Sequence, residues 1–156
     1  MAVKGIIPAL VTPIDEAERV NEKALRHLLD YTVDNGCHGV FILSSTGEFY
    51  GLREEEKRRA IETTVDHIHG RVPVMAGAYG IGTKEAIRMV AMAKEAGADL
   101  VSVLTPMMIT PNDEEIYQHY RAIAESTDLP VTLYNNPDRT HVNISAKVVE
   151  RLAAIP

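Results

Sequence analysis

The chain has little to staple it covalently and few large aromatics to pack around. Its 156 residues include one cysteine, Cys37, no tryptophan and two phenylalanines. A lone cysteine excludes an intrachain disulfide and points to a reducing compartment. Set beside Gly36 and ahead of the apolar run Gly39–Leu43, Cys37 reads as a buried structural thiol rather than a nucleophile. No apolar run approaches the ~20 residues that span a bilayer, and no charged-then-apolar leader precedes Gly5. The expectation is a cytoplasmic protein without a membrane partner. A basic surplus is also missing: 16 Lys and Arg stand against 22 Asp and Glu, for a net charge of −6. A nucleic-acid backbone, which needs clustered positive charge, is therefore a poor partner. The one basic cluster, Lys57-Arg58-Arg59, follows Glu54, Glu55 and Glu56. It reads as a solvated helix face with acids toward the positive end of the helix dipole. Linkers and low-complexity tracts are absent, so no internal domain boundary is expected.

What is present is a rhythm. Five strand-like runs each end in turn-forming or polar residues: Gly5–Val11, Gly39–Leu43, Val74–Ala78, Leu100–Leu104 and Val131–Tyr134. Their starts lie about 26 to 35 residues apart, the size of a βαβ unit. Val40-Phe41-Ile42-Leu43 and Val101-Ser102-Val103-Leu104 are continuous rather than alternating runs, as in a parallel sheet covered on both faces. Amphipathic helix patterns fill the intervals. Asn21, Thr83, Asn112 and Ser145 are candidate N-caps, Asn112 with Glu115 as a capping box. Gly36, Gly70 and Gly97 stand where left-handed residues end helices. The fold class is α/β: about five βα units of a (β/α)8 barrel, residues 1–156 forming the N-terminal part of one barrel domain. A closed barrel needs roughly 250 residues.

Two loops carry the chemistry. Ser44-Ser45-Thr46-Gly47-Glu48 follows the second run. Its hydroxyls and glycine-opened N–H groups can hold a carboxylate, although Ser, Thr and Gly also make plain turns. Tyr134-Asn135-Asn136-Pro137-Asp138-Arg139-Thr140 follows the fifth. A tyrosine ending a barrel strand can relay a proton, and Arg139 can grip a carboxylate in bidentate fashion. The plain alternative is an Asn-Pro turn with an exposed arginine. Glu48 fits a structural hydrogen-bonding role better than that of a general base. His67 and His69 are two apart on a helix and face different sides. His27, His38, His119 and His141 have no ligand spacing, so neither a metal nor a cofactor is expected. Gly77, Gly80 and Gly82 lack the full dinucleotide fingerprint.

Together with Gly5-Ile6-Ile7-Pro8-Ala9-Leu10-Val11-Thr12-Pro13 and Leu104-Thr105-Pro106, in this order and spacing, these motifs resemble the dihydrodipicolinate synthase / N-acetylneuraminate lyase family of pyruvate-dependent class I aldolases. The resemblance covers essentially the whole chain. It implies a Schiff base between pyruvate, or a related 2-keto acid, and a lysine on the sixth barrel strand. It also implies that Ser45 and Thr46 hold the keto-acid carboxylate, that Tyr134 with Ser45 serves proton transfer, and that Arg139 binds the carboxylate of a small aldehyde. A homotetramer is implied as well.

Two departures stand out. None of the six lysines, Lys4, Lys23, Lys57, Lys84, Lys94 and Lys147, falls at the carboxyl end of a strand-like run. The chain thus reads as cut before the lysine strand and inactive by itself. Met107-Met108 occupy the place where synthases carry a tyrosine pair, one of which completes a relay in a neighbouring subunit, and methionine relays no protons. An N-acetylneuraminate lyase-like or 2-keto-3-deoxy sugar acid aldolase, or a dehydratase of the same family, is the alternative. A non-catalytic α/β module for carboxylate binding or assembly is the alternative of another class, separated from the first two by the missing lysine.

Overall fold

The computed structural model describes residues 3–155; Pro156, beyond which the resemblance puts the lysine strand, lies outside them. Four strands, β1 (Val40–Ile42), β2 (Val74–Gly77), β3 (Leu100–Leu104) and β4 (Val131–Tyr134), follow the sheet order β1-β2-β3-β4. Six helices accompany them: α1 (Glu22–Asp34), α2 (Glu54–Ile68), α3 (Thr83–Glu95), α4 (Asp113–Ala124), α5 (Pro137–Thr140) and α6 (Ala146–Leu152). The chain divides into two compact units. One comprises residues 1–77 and 92–100, the other residues 78–91 and 101–156.

In the first unit, β1 pairs in parallel with β2, Val40 opposite Val74 and Ile42 opposite Ala76. Asn21 caps α1 by accepting a hydrogen bond from Ala24 N at 3.1 Å. The buried faces of α1 (Leu25, Leu29) and α2 (Ala60, Ile61, Ile68) pack into the core with Val40, Ile42 and Val74. Burying a Leu or Ile side chain is worth about 1.5–3 kcal/mol, so this apolar seam outweighs the ion pairs around its rim, each worth about 0–1 kcal/mol. Of the Gly5–Val11 run only a bridge forms, Ala9 pairing in parallel with Phe41. Leu10 N still donates to Phe41 O at 2.8 Å and His38 N to Ile6 O at 2.8 Å. Pro8 has no N–H to continue the ladder. The first expected strand is therefore a broken one.

Glu56 also departs from expectation. It is buried at 2% exposure, and its carboxylate accepts Val20 N at 2.6 Å. The acidic triplet is thus not all solvated: one carboxylate has turned inward to satisfy a backbone donor in the hairpin that brings Ile14 opposite Val20. Cys37 is half-exposed rather than buried.

In the second unit β3 and β4 pair in parallel, Ser102 opposite Thr132 and Leu104 opposite Tyr134. Alternation along the strands puts Ser102, Leu104, Thr132 and Tyr134 on one face and Val101, Val103, Val131 and Leu133 on the other. The valine face is the helix side. There Tyr120 of α4 donates to Val103 O at 3.1 Å, and Ile116, Ile123, Val148 and Leu152 are buried. Asn112 caps α4 as a full capping box, and Ser145 caps α6. Thr83 does not cap α3 but lies in its first turn, where Ala86 N reaches back to Gly82 O. The Asn136-Pro137 segment, read as a turn, forms the single helical turn α5, with Pro137 at its first position where a missing N–H costs nothing.

Candidate active site

The hydroxyl loop is built by closing a turn under it. β1 ends at Ile42, and Leu43, buried at 1% exposure, takes a left-handed φ of 54°. A non-glycine residue there stores about 1–3 kcal/mol of strain, tolerated where the surroundings dictate it. The next residue, Ser44, is buried and accepts Gly47 N on its Oγ at 3.2 Å. Gly47 O in turn accepts the Thr12 hydroxyl at 2.8 Å. A Cβ on Gly47 would come 2.9 Å from Leu10 O, so only glycine fits the crossing. Ser45, half-buried, and Thr46, exposed, are left on the outside of this turn at the carboxyl end of β1. Glu48 is exposed and left-handed (φ 52°), and it opens the 3-10 turn Phe49–Gly51 through its carbonyl. Its contribution here is to the backbone.

In the second unit Tyr134 is the last residue of β4, on the same face as Ser102. It is half-buried, and its hydroxyl accepts Asn136 Nδ2 at 3.1 Å. Asn135 is turned to the following segment, accepting Ile144 N at 3.1 Å and donating to Asn143 Oδ1 at 2.8 Å. Arg139 is exposed on α5. That helical turn is anchored by Thr140, buried at 4%, whose hydroxyl accepts the Thr105 hydroxyl at 2.8 Å and donates to Asn136 O at 3.1 Å. Thr105, read from the sequence only as part of a motif, thus ties the end of β3 to the turn that carries Arg139.

Tyr79 was missed altogether. It follows β2 as a turn residue, yet it is buried at 4% exposure. Its ring centroid lies 6.2 Å from that of Tyr134 at an interplanar angle of 51°. Burial pushes the phenol well above the ordinary tyrosine range, and the nearby Ser102 side chain offsets this in part. No local signal announces this, because the partners lie 23 and 55 residues further along the chain.

Met108 is 88% exposed with a left-handed φ of 73°, and Ile109 beside it is 62% exposed. All six lysines lie outside the strands: Lys4 near the N-terminus, the others on α1, α2, α3 and α6. None is buried, although an amine that forms a Schiff base is activated by desolvation or a neighbouring cation. Among the described residues no group of three or more His, Cys, Asp or Glu side chains could hold a metal ion. No helix among them is long and apolar enough to cross a membrane.

Known proteins are similar to this chain in sequence and in fold. The 4-hydroxy-tetrahydrodipicolinate synthase of Syntrophus aciditrophicus is 46% identical over 152 residues, 97% of this chain and 52% of its own length. A dihydrodipicolinate synthase of Bacillus anthracis superposes with a TM-score of 0.97 at 38% identity, over 100% of this chain and 53% of that one. The chloride-inhibited dihydrodipicolinate synthase of Acinetobacter baumannii, complexed with pyruvate, gives a TM-score of 0.96 at 37% identity over 99% of this chain and 53% of that one. The chain thus spans about half the length of the relatives it matches, and its fold is that of the N-terminal part of their barrel. The dihydrodipicolinate synthetase family profile matches residues 2–156, and the chain belongs to that family.

Proposed function

We propose that this chain carries the substrate-holding part of a pyruvate-dependent Schiff-base aldolase or lyase that joins pyruvate to a small carboxylated aldehyde, as dihydrodipicolinate synthases do. The supporting observation is the family match over residues 2–156, with pyruvate bound in a relative of 37% identity. In this reading Ser45 and Thr46 receive the keto-acid carboxylate. The turn that carries them is closed by Ser44, Gly47 and Thr12. Tyr134, its oxygen steered by Asn136, moves the proton with Ser45, and Arg139 pairs with the aldehyde's carboxylate. The imine lysine comes from outside these residues, so the 156-residue chain by itself forms no imine. Residues 1–156 are the N-terminal part of one barrel domain of a cytoplasmic homotetramer.

A second reading rests on Met107-Met108. Without a phenol at that place, a related 2-keto-acid aldolase or dehydratase is the competing activity. The full-length gene product decides between them when pyruvate is offered with a carboxylated or an uncharged aldehyde. Arg139→Ala should raise KM for the carboxylated aldehyde about tenfold or more, the loss of a charge-assisted pair worth about 1.5–3 kcal/mol. It should leave borohydride trapping of pyruvate unchanged. An equal preference for uncharged aldehydes in the unsubstituted enzyme would favour the second reading.

A further inference from the structure

We infer that Tyr79 is a positioning residue for Tyr134, holding the phenol in the orientation proton transfer requires. The inference rests on the reading of Tyr134 as the proton-transfer group and extends it to a residue outside that set. Three observations meet here. Ser102 and Tyr134 share one face of the β3–β4 pair, opposite the face packed on α4 and α6. Tyr79 reaches that same face from the loop after β2, its side chain near Ser102 and its ring 6.2 Å from the Tyr134 ring at 51°. Tyr79 is buried at 4% exposure, whereas Tyr134 is half-buried.

The asymmetry gives the two rings different jobs. The Asn136 contact at 3.1 Å steers the oxygen of the half-buried Tyr134. Tyr79 supplies a wall for the ring. The wall does not yield, because the Tyr79 ring is itself buried at 4%, beside Ser102 at the centre of β3, which is buried at 2%. Tilted rings at this separation attract one another, enough to favour one orientation several-fold. Burial keeps the Tyr79 hydroxyl protonated through the working range, so it serves as a neutral group and adds no competing phenolate. The neighbouring Gly80 completes the packing: a Cβ there would come 2.6 Å from Ala86 N, so the loop carrying Tyr79 sits directly on the start of α3.

The test uses the full-length gene product with Tyr79→Phe and Tyr79→Ala, and three readouts: borohydride trapping of pyruvate, kcat with its pH profile, and KM for pyruvate. Tyr79→Phe keeps the wall and should retain kcat within about threefold. Tyr79→Ala removes the wall, and kcat should fall about 10–100-fold, since misplacing a reacting group by about 1 Å costs about 10²-fold. Trapping and KM for pyruvate should stay near their unsubstituted values, and the alkaline limb of the kcat profile should shift in Tyr79→Ala alone. Equal losses of kcat and trapping in both variants would make Tyr79 a folding residue only, as would an unchanged kcat and pH profile in Tyr79→Ala, and either result overturns the inference. Failure of the unsubstituted enzyme to trap pyruvate would instead overturn the functional reading on which it rests.

Discussion

Ser44 shows how much a single side chain does here. Its hydroxyl is spent on Gly47 N, beneath the turn, which leaves Ser45 and Thr46 as the pair on the outside. Tyr134 is arranged with similar economy: Asn136 holds its oxygen and Tyr79 walls its ring. In the full-length gene product, Tyr134→Phe should slow turnover by about 10²–10⁴-fold, the usual loss for a positioned proton-transfer group. Pyruvate trapping should persist at a reduced rate. Steady-state kinetics check this, and a loss under tenfold would remove Tyr134 from the chemistry. The site residues proposed from sequence could be named because they lie in short contiguous motifs at the ends of apolar runs. Tyr79 and Glu56 could not, because each earns its role from a partner tens of residues away: Val20 N for Glu56, Ser102 and Tyr134 for Tyr79.

At the scale of the element, local chemistry decided most boundaries. The Asn112–Glu115 box was legible because it is written within four residues, and it forms with Glu114 N and Glu115 N at 3.0 and 3.1 Å from Asn112 Oδ1. Asn112→Ala should cost about 0.5–2 kcal/mol, read as a lower urea midpoint at unchanged slope. The broken first strand was harder to see, since apolarity in Gly5–Val11 outvoted Pro8. The helical turn α5 was hidden in a sequence that serves turns equally well. His119 on α4 makes a separate prediction. It is buried at 5% exposure, its Nδ1 lies 2.9 Å from the Thr83 hydroxyl, and its Nε2 is buried without a hydrogen-bond partner. Burial lowers its pKa from 6.5 to about 4. The unfolded chain then binds a proton more readily than the folded one, so the stability tied to neutral His119 is present above pH 6.5 and drains away as pH falls toward 4. His119→Gln should flatten that decline in a series of urea melts. An unchanged slope would place the titration elsewhere.

For the whole molecule, the βα rhythm, the family and the partial-barrel fold were all present in the sequence, because parallel strands buried on both faces leave continuous apolar runs at regular spacing. The division into two compact units was not, because it arises from where contacts cluster rather than from any composition break. The lysine inventory is the fact on which the functional account turns: six lysines, none on a strand and none buried. Borohydride reduction in the presence of pyruvate, followed by peptide mass mapping, tests it most directly. The 156-residue chain should acquire no adduct. The full-length gene product should gain one reduced pyruvyl group on a lysine outside residues 1–156. An adduct on Lys4, Lys23, Lys57, Lys84, Lys94 or Lys147, or no adduct on the full-length product, would contradict the account.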